Sequence, residues 1–386
     1  MPSPKKPVII YGGSFDPPHR GHLALAAAAL RQLAPQALYF VPGFRTPFKD
    51  FRPLPFGERR GMLAAALAAE GLAGRPDVRI SDFEAGLKRV VYTYETVAHF
   101  ARLHPGAPLY FLMGSDCLAD FRSWRRWRTV LKSARLLAGL RPGFSSLRPA
   151  GVPFTPLAGR FPEAASSGLR GQLFLGEEPK ELHKPVLAFI KKRGLYFSRE
   201  RAALKKMLSP RRFLHSVETA RLAIRLSTAA GIPAQKAAAA GLVHDCARDL
   251  SPAALRRRAI RLSPRPPMLA EMLKEAPVLL HAWTGAALAA EKFGLDDPDI
   301  AEAVRLHATG APGMGPLAKL IYVSDLACHG RDFAEAGLIR ELAGRDFDAA
   351  FRAANYVKLT YAFSGGGWVH PLSAGLWNTL QEKNRG

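Results

Sequence analysis

The chain has 386 residues, 48% of them hydrophobic, with 55 Lys and Arg against 32 Asp and Glu and a formal net charge of +23. Its length exceeds one ordinary core and points to two or three domains, while no apolar stretch approaches the ~20 residues that span a bilayer, so no membrane role is expected. Three scattered cysteines (Cys117, Cys246, Cys328) and a start without a hydrophobic signal region exclude a disulfide scaffold and suit a reducing cytoplasm.

The charge divides as 30 basic and 15 acidic residues over 1–200, and 25 and 17 over 201–386. Apart from the clusters at 122–128 and 256–258 the basic residues are scattered, which fits polyanionic small substrates and does not lead us to expect nucleic acid as a partner. In chain order, strands are expected at Val8–Tyr11, Ala37–Val41, Val78–Ile80, Leu109–Met113 and Ala134–Leu140. Helices are expected at 21–34, Phe56–Glu70 and Tyr94–Leu103. This alternation argues for a doubly wound parallel α/β sheet with its ligands beyond the carboxyl ends of the strands. Residues 142–180, rich in Pro, Gly and Ser, read as irregular. After about residue 200 the pattern turns to Ala- and Leu-rich helices at Ser216–Ala230, Pro233–His244, Ala253–Leu262 and Ala282–Phe293, an all-α domain. The expected domains are therefore 1–200 and 201–386.

The most informative stretch is Tyr11-Gly12-Gly13-Ser14-Phe15-Asp16-Pro17-Pro18-His19-Arg20-Gly21-His22, between the first strand and the first helix. Glycines let a backbone approach a ligand closely, and a helix N-terminus offers free N–H groups to phosphate. His19 and His22, three residues apart in the first turn, put both imidazoles on one ligand. In the second half, His215, His244-Asp245, His281, His307 and Asp325 have the chemistry of a metal site, with imidazole and carboxylate ligands that suit Fe, Mn or Zn.

The first motif resembles the nucleotidyltransferase superfamily, whose fold is Rossmann-like. Further matches resemble the bacterial nicotinate mononucleotide adenylyltransferases: Pro47-Phe48-Lys49, Glu58 to Leu63, Ser81 to Glu84, Tyr92 to Thr96, Phe111 to Asp116 with Trp124, and Leu140-Arg141-Pro142-Gly143. Val91 and Glu95 depart from the usual Ser and Asp, and Phe48 from a usual His. The Ala164 to Arg170 segment is a degenerate match in which Ala165 replaces a Ser, so that reduced adenylyl transfer is one expectation. The resemblance, over about residues 7–197, implies attack of the nicotinate mononucleotide phosphate on the α-phosphorus of ATP with Mg²⁺ bridging the oxygens. It implies catalytic roles for His19, His22, Lys49 and Arg170. It implies nucleotide contacts for Gly12, Gly13, Ser14, Phe15, Thr93, Gly114, Asp116 (facing a ribose), Trp124 (stacked on the nicotinate ring), Arg141, Ser166 and Ser167.

The second half resembles the HD phosphohydrolase superfamily, and locally its symmetrical diadenosine tetraphosphate hydrolases, through Arg212 to Val217, Ala240 to Asp245, Leu280 to Ala286, Arg305 to Gly310, Lys319 to Asp325, Gly330-Arg331 and Val369-His370-Pro371. Cys328 replaces a usual Glu, and Arg248 a usual Lys. The resemblance, over about 208–380, implies a metal core of His215, His244, Asp245 and Asp325, holding Fe or Mn and a water that attacks phosphorus. His281 and His307 complete a second metal position or contact phosphate. Asp249 is a candidate proton acceptor, and Arg212, Lys319 and Arg331 are candidates for neutralising phosphate charge.

The function these resemblances imply is bifunctional: deamido-NAD synthesis from ATP and nicotinate mononucleotide, and cleavage of diadenosine tetraphosphate to two ADP. The alternatives keep both folds with other substrates, such as pantetheine phosphate, or make one domain an inactive nucleotide-sensing or RNA-binding module. A homo-oligomer is compatible with the sequence.

Overall fold

The computed structural model describes residues 5–44, 53–140 and 149–382. The chain divides into two compact units, Met1–Leu173 with Glu178–Leu195, and Phe174–Glu177 with Tyr196–Gly386. Among the described residues no helix is long and apolar enough to cross a membrane.

The first unit is built on six strands, β1 Val8–Gly13, β2 Ala37–Pro42, β3 Val78–Ile80, β4 Leu109–Gly114, β5 Arg135–Gly139 and β6 Phe154–Pro156. All pair in parallel, in the order β3-β2-β1-β4-β5-β6. The expected doubly wound sheet is therefore present. Its central strands are buried on both faces, which is why Val8-Ile9-Ile10 and Leu109 to Met113 read as continuous apolar runs rather than alternating ones. Crossovers from β1 and from β4 leave in opposite directions, so a crevice opens between their carboxyl ends, at Gly13 and Gly114. The helices are α1 Arg20–Leu33, α2 Phe56–Ala69, α3 Phe83–Leu87, α4 Thr93–Leu103, α5 Ser115–Ala119, α6 Trp127–Ser133, α7 Ser166–Leu175 and α8 Lys184–Arg193.

The irregular reading of 142–180 is corrected by β6 and α7. A three-residue edge strand is too short for a periodic signal, and Ser166-Ser167-Gly168 masks the helix that follows.

The second unit holds α9 Ser198–Met207, α10 Pro210–Ser227, α11 Ala234–Val243, α12 Pro252–Ile260, α13 Leu269–Glu275, α14 Leu280–Phe293, α15 Pro298–Leu306, α16 Pro316–Ala327, α17 Ala334–Ala343, α18 Phe347–Ser364 and α19 Pro371–Glu382. Its core gathers Leu222, Leu242, Val304, Leu320, Ile321 and Phe351 about the largely buried α16. Helices α10 and α11 approach so closely that a Cβ on Gly241 would lie 2.5 Å from the Cα of Ala220. Small residues at both positions therefore set the distance between these helices.

Gly241→Ala is expected to force the pair apart and to lower stability by about 1–3 kcal/mol, read as a lower urea midpoint of the second unit.

Candidate active sites

At the mouth of the sheet crevice, His19 is the N-cap of α1, and its backbone N–H donates to His22 Nδ1 at 3.2 Å. The two rings stack with centroids 3.7 Å apart, His19 buried and His22 half-buried. The spacing of three thus does bring both imidazoles to the helix N-terminus. Two predicted partners arrive there from α7, about 150 residues away: Ser166 Oγ donates to the Pro17 carbonyl at 3.1 Å, and Arg170 Nη1 to the Asp16 carbonyl at 2.7 Å.

The other predicted residues of this unit divide by what they touch. Phe15 is buried among Tyr11, Phe40 and His22, so it can offer a ligand only its backbone. The paired glycines answer to packing: a Cβ on Gly12 would lie 3.0 Å from the Phe111 ring of β4, and one on Gly13 3.2 Å from Phe15. Gly114 caps α5 at the end of β4, and Asp116 is exposed in its first turn. Thr93 opens α4. Trp124 stands edge-on to Phe111 at 5.8 Å, half-buried. Ser167 is exposed on α7. Lys49 and Arg141 lie outside the described residues.

One residue that the sequence reading passed over holds this mouth together. Arg59, on α2, is 1% exposed. It donates through Nη1 to the Ser14 carbonyl at 2.7 Å, through Nη2 to the Gly43 carbonyl at 2.6 Å and through Nε to the Leu54 carbonyl at 2.7 Å. The segments that follow β1 and β2 and the one that precedes α2 are thereby tied to one planar group, through charge-assisted bonds. Close by, Glu84 is buried and accepts from Thr96 Oγ1 at 2.7 Å. Burial pushes its carboxyl up to about 7, against the opposing effects of the Thr96 bond and the Arg59 charge.

In the second unit the predicted core residues converge. Nε2 of His215 lies 2.9 Å from Asp325 Oδ1 and 3.2 Å from Nε2 of His244. Asp245 Oδ1 lies 3.1 Å from His281 Nε2 and 3.4 Å from His307 Nε2, and those two nitrogens are 3.0 Å apart. Two triads result, His215–His244–Asp245 and Asp245–His281–His307, each with its ligand atoms within 4.8 Å of one another and with Asp245 common to both.

The orientation of these rings follows from local backbone chemistry. His244 and His307 are the C-caps of α11 and α15, where the last carbonyls lack helical partners. His244 Nδ1 meets the Gly241 carbonyl at 2.8 Å and His307 Nδ1 the Val304 carbonyl at 2.7 Å, each three residues back. His281 Nδ1 meets the Val278 carbonyl in the same way. With its proton held on Nδ1, each ring turns the lone pair of Nε2 inward, as a metal ligand requires. Burial, only partly offset by Asp245, pushes His307 down to about 4, so that ring is neutral at pH 7. Burial by itself would raise Asp245 and Asp325, yet both are held well below the usual carboxylate range. His244 does this for Asp245, while Lys358, His215 and Arg331 do it for Asp325. Inward ring nitrogens around ionised carboxylates fit a divalent cation.

The residues around this core fall less neatly. Arg331, expected to neutralise phosphate charge, donates to Asp325 Oδ1 at 2.6 Å and to its carbonyl at 3.0 Å. Arg212 and Asp249 line the same large cavity but pair with each other at 2.7 Å. Asp249, the expected proton acceptor, also accepts from the Ser209 N–H at 2.7 Å, so its two oxygens tie down the start of α10 while the residue lines the cavity. Lys319 stands 5.6 Å over the Phe351 ring and is not among the cavity-lining residues described; Lys358 supplies the cation at the core instead. Cys328 Sγ is 3.3 Å from His215 Nδ1, so this ring alone has a thiol where the others have a carbonyl.

Residues 10–186 match the cytidylyltransferase-like family and residues 212–331 the HD domain, a domain that implies divalent metal binding. A Mycoplasma pneumoniae protein named probable nicotinate-nucleotide adenylyltransferase/Ap4A hydrolase is 28% identical over 321 residues, 82% of this chain and 87% of that protein. A probable nicotinate-nucleotide adenylyltransferase of Solibacter usitatus is 37% identical over 193 residues, 49% of this chain and 98% of that protein. A crystal structure described as a predicted HD superfamily hydrolase involved in NAD metabolism, from Clostridium acetobutylicum, is 28% identical, covers 48% of this chain and 97% of that one, and gives a TM-score of 0.46.

The buried Glu84 yields a pH prediction. Its folded pKa of about 7 lies above the ordinary 4.5, so the folded state binds the extra proton and the contribution to stability is complete below about 4.5. It is lost as pH rises through about 7, by at most about 3 kcal/mol. Urea midpoints of the first unit are expected to fall between pH 5 and 8, and Glu84→Gln to flatten that slope.

Proposed function

Because the chain belongs to the nicotinate-nucleotide adenylyltransferase family in its first half and carries an HD domain in its second, we propose that it is a bifunctional enzyme. Residues 1–200 transfer AMP from ATP to nicotinate mononucleotide, and residues 201–386 hydrolyse diadenosine tetraphosphate to two ADP. The observation that carries the hydrolase reading is the convergence of four inward Nε2 atoms and two ionised carboxylates on one cavity of about 1860 Å³, ample for a dinucleotide polyphosphate. The adenylyltransferase reading is supported by the stacked histidine pair at a helix N-terminus, with Arg170 tied to the same loop.

In the first half no covalent intermediate is needed, and catalysis amounts to positioning and charge stabilisation. His19 and His22 hold the ATP phosphates against the end of α1, and Arg170 adds positive charge from α7. Arg59 keeps the loop after β1 in the shape that presents them, by satisfying its carbonyl at Ser14. Trp124 and Thr93 bound the pyridine, and Asp116 faces a ribose. Mg²⁺, when bound with ATP, would supply further positive charge against the phosphates.

In the second half His215, His244, Asp245 and Asp325 would hold iron or manganese, with His281 and His307 completing a second position through Asp245. Such a metal, when bound, supplies Lewis-acid charge and a water acidic enough to attack phosphorus at neutral pH. Arg331 neutralises phosphate charge at the core, and Arg212 does so from the cavity wall. The Nδ1–carbonyl bonds of His244, His281 and His307 hold the ligand set in place before any ion enters, so little reorganisation accompanies binding.

The test is product analysis of the purified full chain with ATP plus nicotinate mononucleotide, and separately with diadenosine tetraphosphate plus Fe²⁺ or Mn²⁺. His19→Ala is expected to lower dinucleotide synthesis by about 10²-fold or more while leaving ADP release unchanged. His244→Ala is expected to do the reverse, and chelation of the metal to abolish ADP release alone. Failure of both wild-type reactions would overturn the assignment.

A further inference from the structure

Lys358 stands at the metal core without any motif to announce it. Its side chain is 15% exposed and lines the large cavity. Nζ donates to Asp325 Oδ2 at 3.2 Å and to the His307 carbonyl, and it lies 3.8 Å over the ring of Tyr322. Tyr322 is itself fixed, its hydroxyl accepting from Asn355 Nδ2 at 3.2 Å. An ammonium has three N–H groups. A carboxylate oxygen, a carbonyl and a ring face engage all three, so the group is locked rather than mobile.

This arrangement divides the Asp325 carboxylate. Oδ2 is turned to Lys358, whereas Oδ1 is turned to His215 at 2.9 Å and His244 at 3.6 Å, with Arg331 donating to it at 2.6 Å. An oxygen accepts through two lone pairs, so Oδ1 can hold Arg331 on one and a cation on the other. Oδ2 also has two lone pairs, but the ammonium takes one of them, and the carbonyl and ring contacts that lock Lys358 hold the carboxylate with Oδ1 toward His215 and His244.

We propose that Lys358 is a positioning residue which restrains Asp325 to bind a divalent cation through Oδ1 alone and so keeps one coordination position open for water or a phosphate oxygen. The proposal rests on the metal-centre half of the function given above. A carboxylate freed to rotate closes on a cation with both oxygens and takes a position that a catalytic site must leave open. Partners of this kind, one bond removed from the ion, typically change activity or affinity 10–100-fold when lost. A lysine that served only to neutralise a buried carboxylate would affect folding and metal uptake, but not the number of waters on the bound ion.

The experiment loads the full chain with Mn²⁺ and measures water-proton relaxation per bound ion, alongside hydrolysis of diadenosine tetraphosphate. Lys358→Met keeps the stem and removes the ammonium. It is expected to bind Mn²⁺ with unchanged stoichiometry and to lose one inner-sphere water's share of the relaxation enhancement. Its kcat is expected to fall by about tenfold or more, with KM little changed. Lys358→Arg is expected to move both readouts back toward wild type. If Lys358→Met does not fold, Lys358→Gln, too short to bridge the carbonyl and Oδ2, reads the same quantity. Unchanged relaxation per bound ion in a folded variant would overturn the proposal, whether or not Mn²⁺ affinity falls. A wild-type chain that takes up no Mn²⁺ would overturn the metal reading and the proposal together. The relaxation readout needs no substrate, so it stands apart from the substrate assignment.

Discussion

Backbone carbonyls left over where strands and helices end are the groups around which both sites are built. A buried carbonyl without a donor is expensive, and a side chain that satisfies one is fixed in return. In the first unit Arg59 answers three of them and fixes the loops that follow β1 and β2. In the second, His244, His281 and His307 each answer one, and the direction of the Nε2 lone pair follows without further instruction. The same requirement serves opposite ends: a cation spent on structure beside one ligand site, and ring nitrogens aimed into the other.

Charge is handled differently in the two units. Asp245 and Asp325 are buried, and each is ringed by rings or cations that keep it ionised. Glu84 is buried beside a guanidinium that is already committed to carbonyls, and its carboxyl is pushed up to about 7, so a large share of it holds its proton near neutral pH. A buried charge is retained where several donors face it directly, and given up where the nearest cation is engaged elsewhere.

Much of this was legible in the sequence because the informative residues are contiguous. The run from Tyr11 to His22 carries strand, turn, cap and helix in one stretch, and His244-Asp245 announces the second centre in two residues. The sheet followed from apolar runs of strand length set between helical patterns. What escaped depends on distance or on backbone detail. Lys358 reaches Asp325 only because α18 packs against α16, and no spacing encodes that approach. Lys319 carries the right charge, yet the turn of α16 aims it at Phe351. A sequence does not show that the Ser209 N–H and Arg212 each engage one oxygen of Asp249. Arg59 was visible as a helix residue, but its burial follows from three loops meeting at one point.

The close approach of α10 and α11 at Ala220 and Gly241 has a consequence beyond packing. His215 lies on α10 and His244 ends α11, so the gap between these two candidate ligands is set by how near two helix backbones can come. One glycine thus acts as a length gauge for the proposed metal centre, three residues before His244, whose ring its own carbonyl also holds. Substitutions that loosen this seam would detune the chemistry before they unfold the domain, so inheritance of the reaction and inheritance of the helix contact are a single constraint.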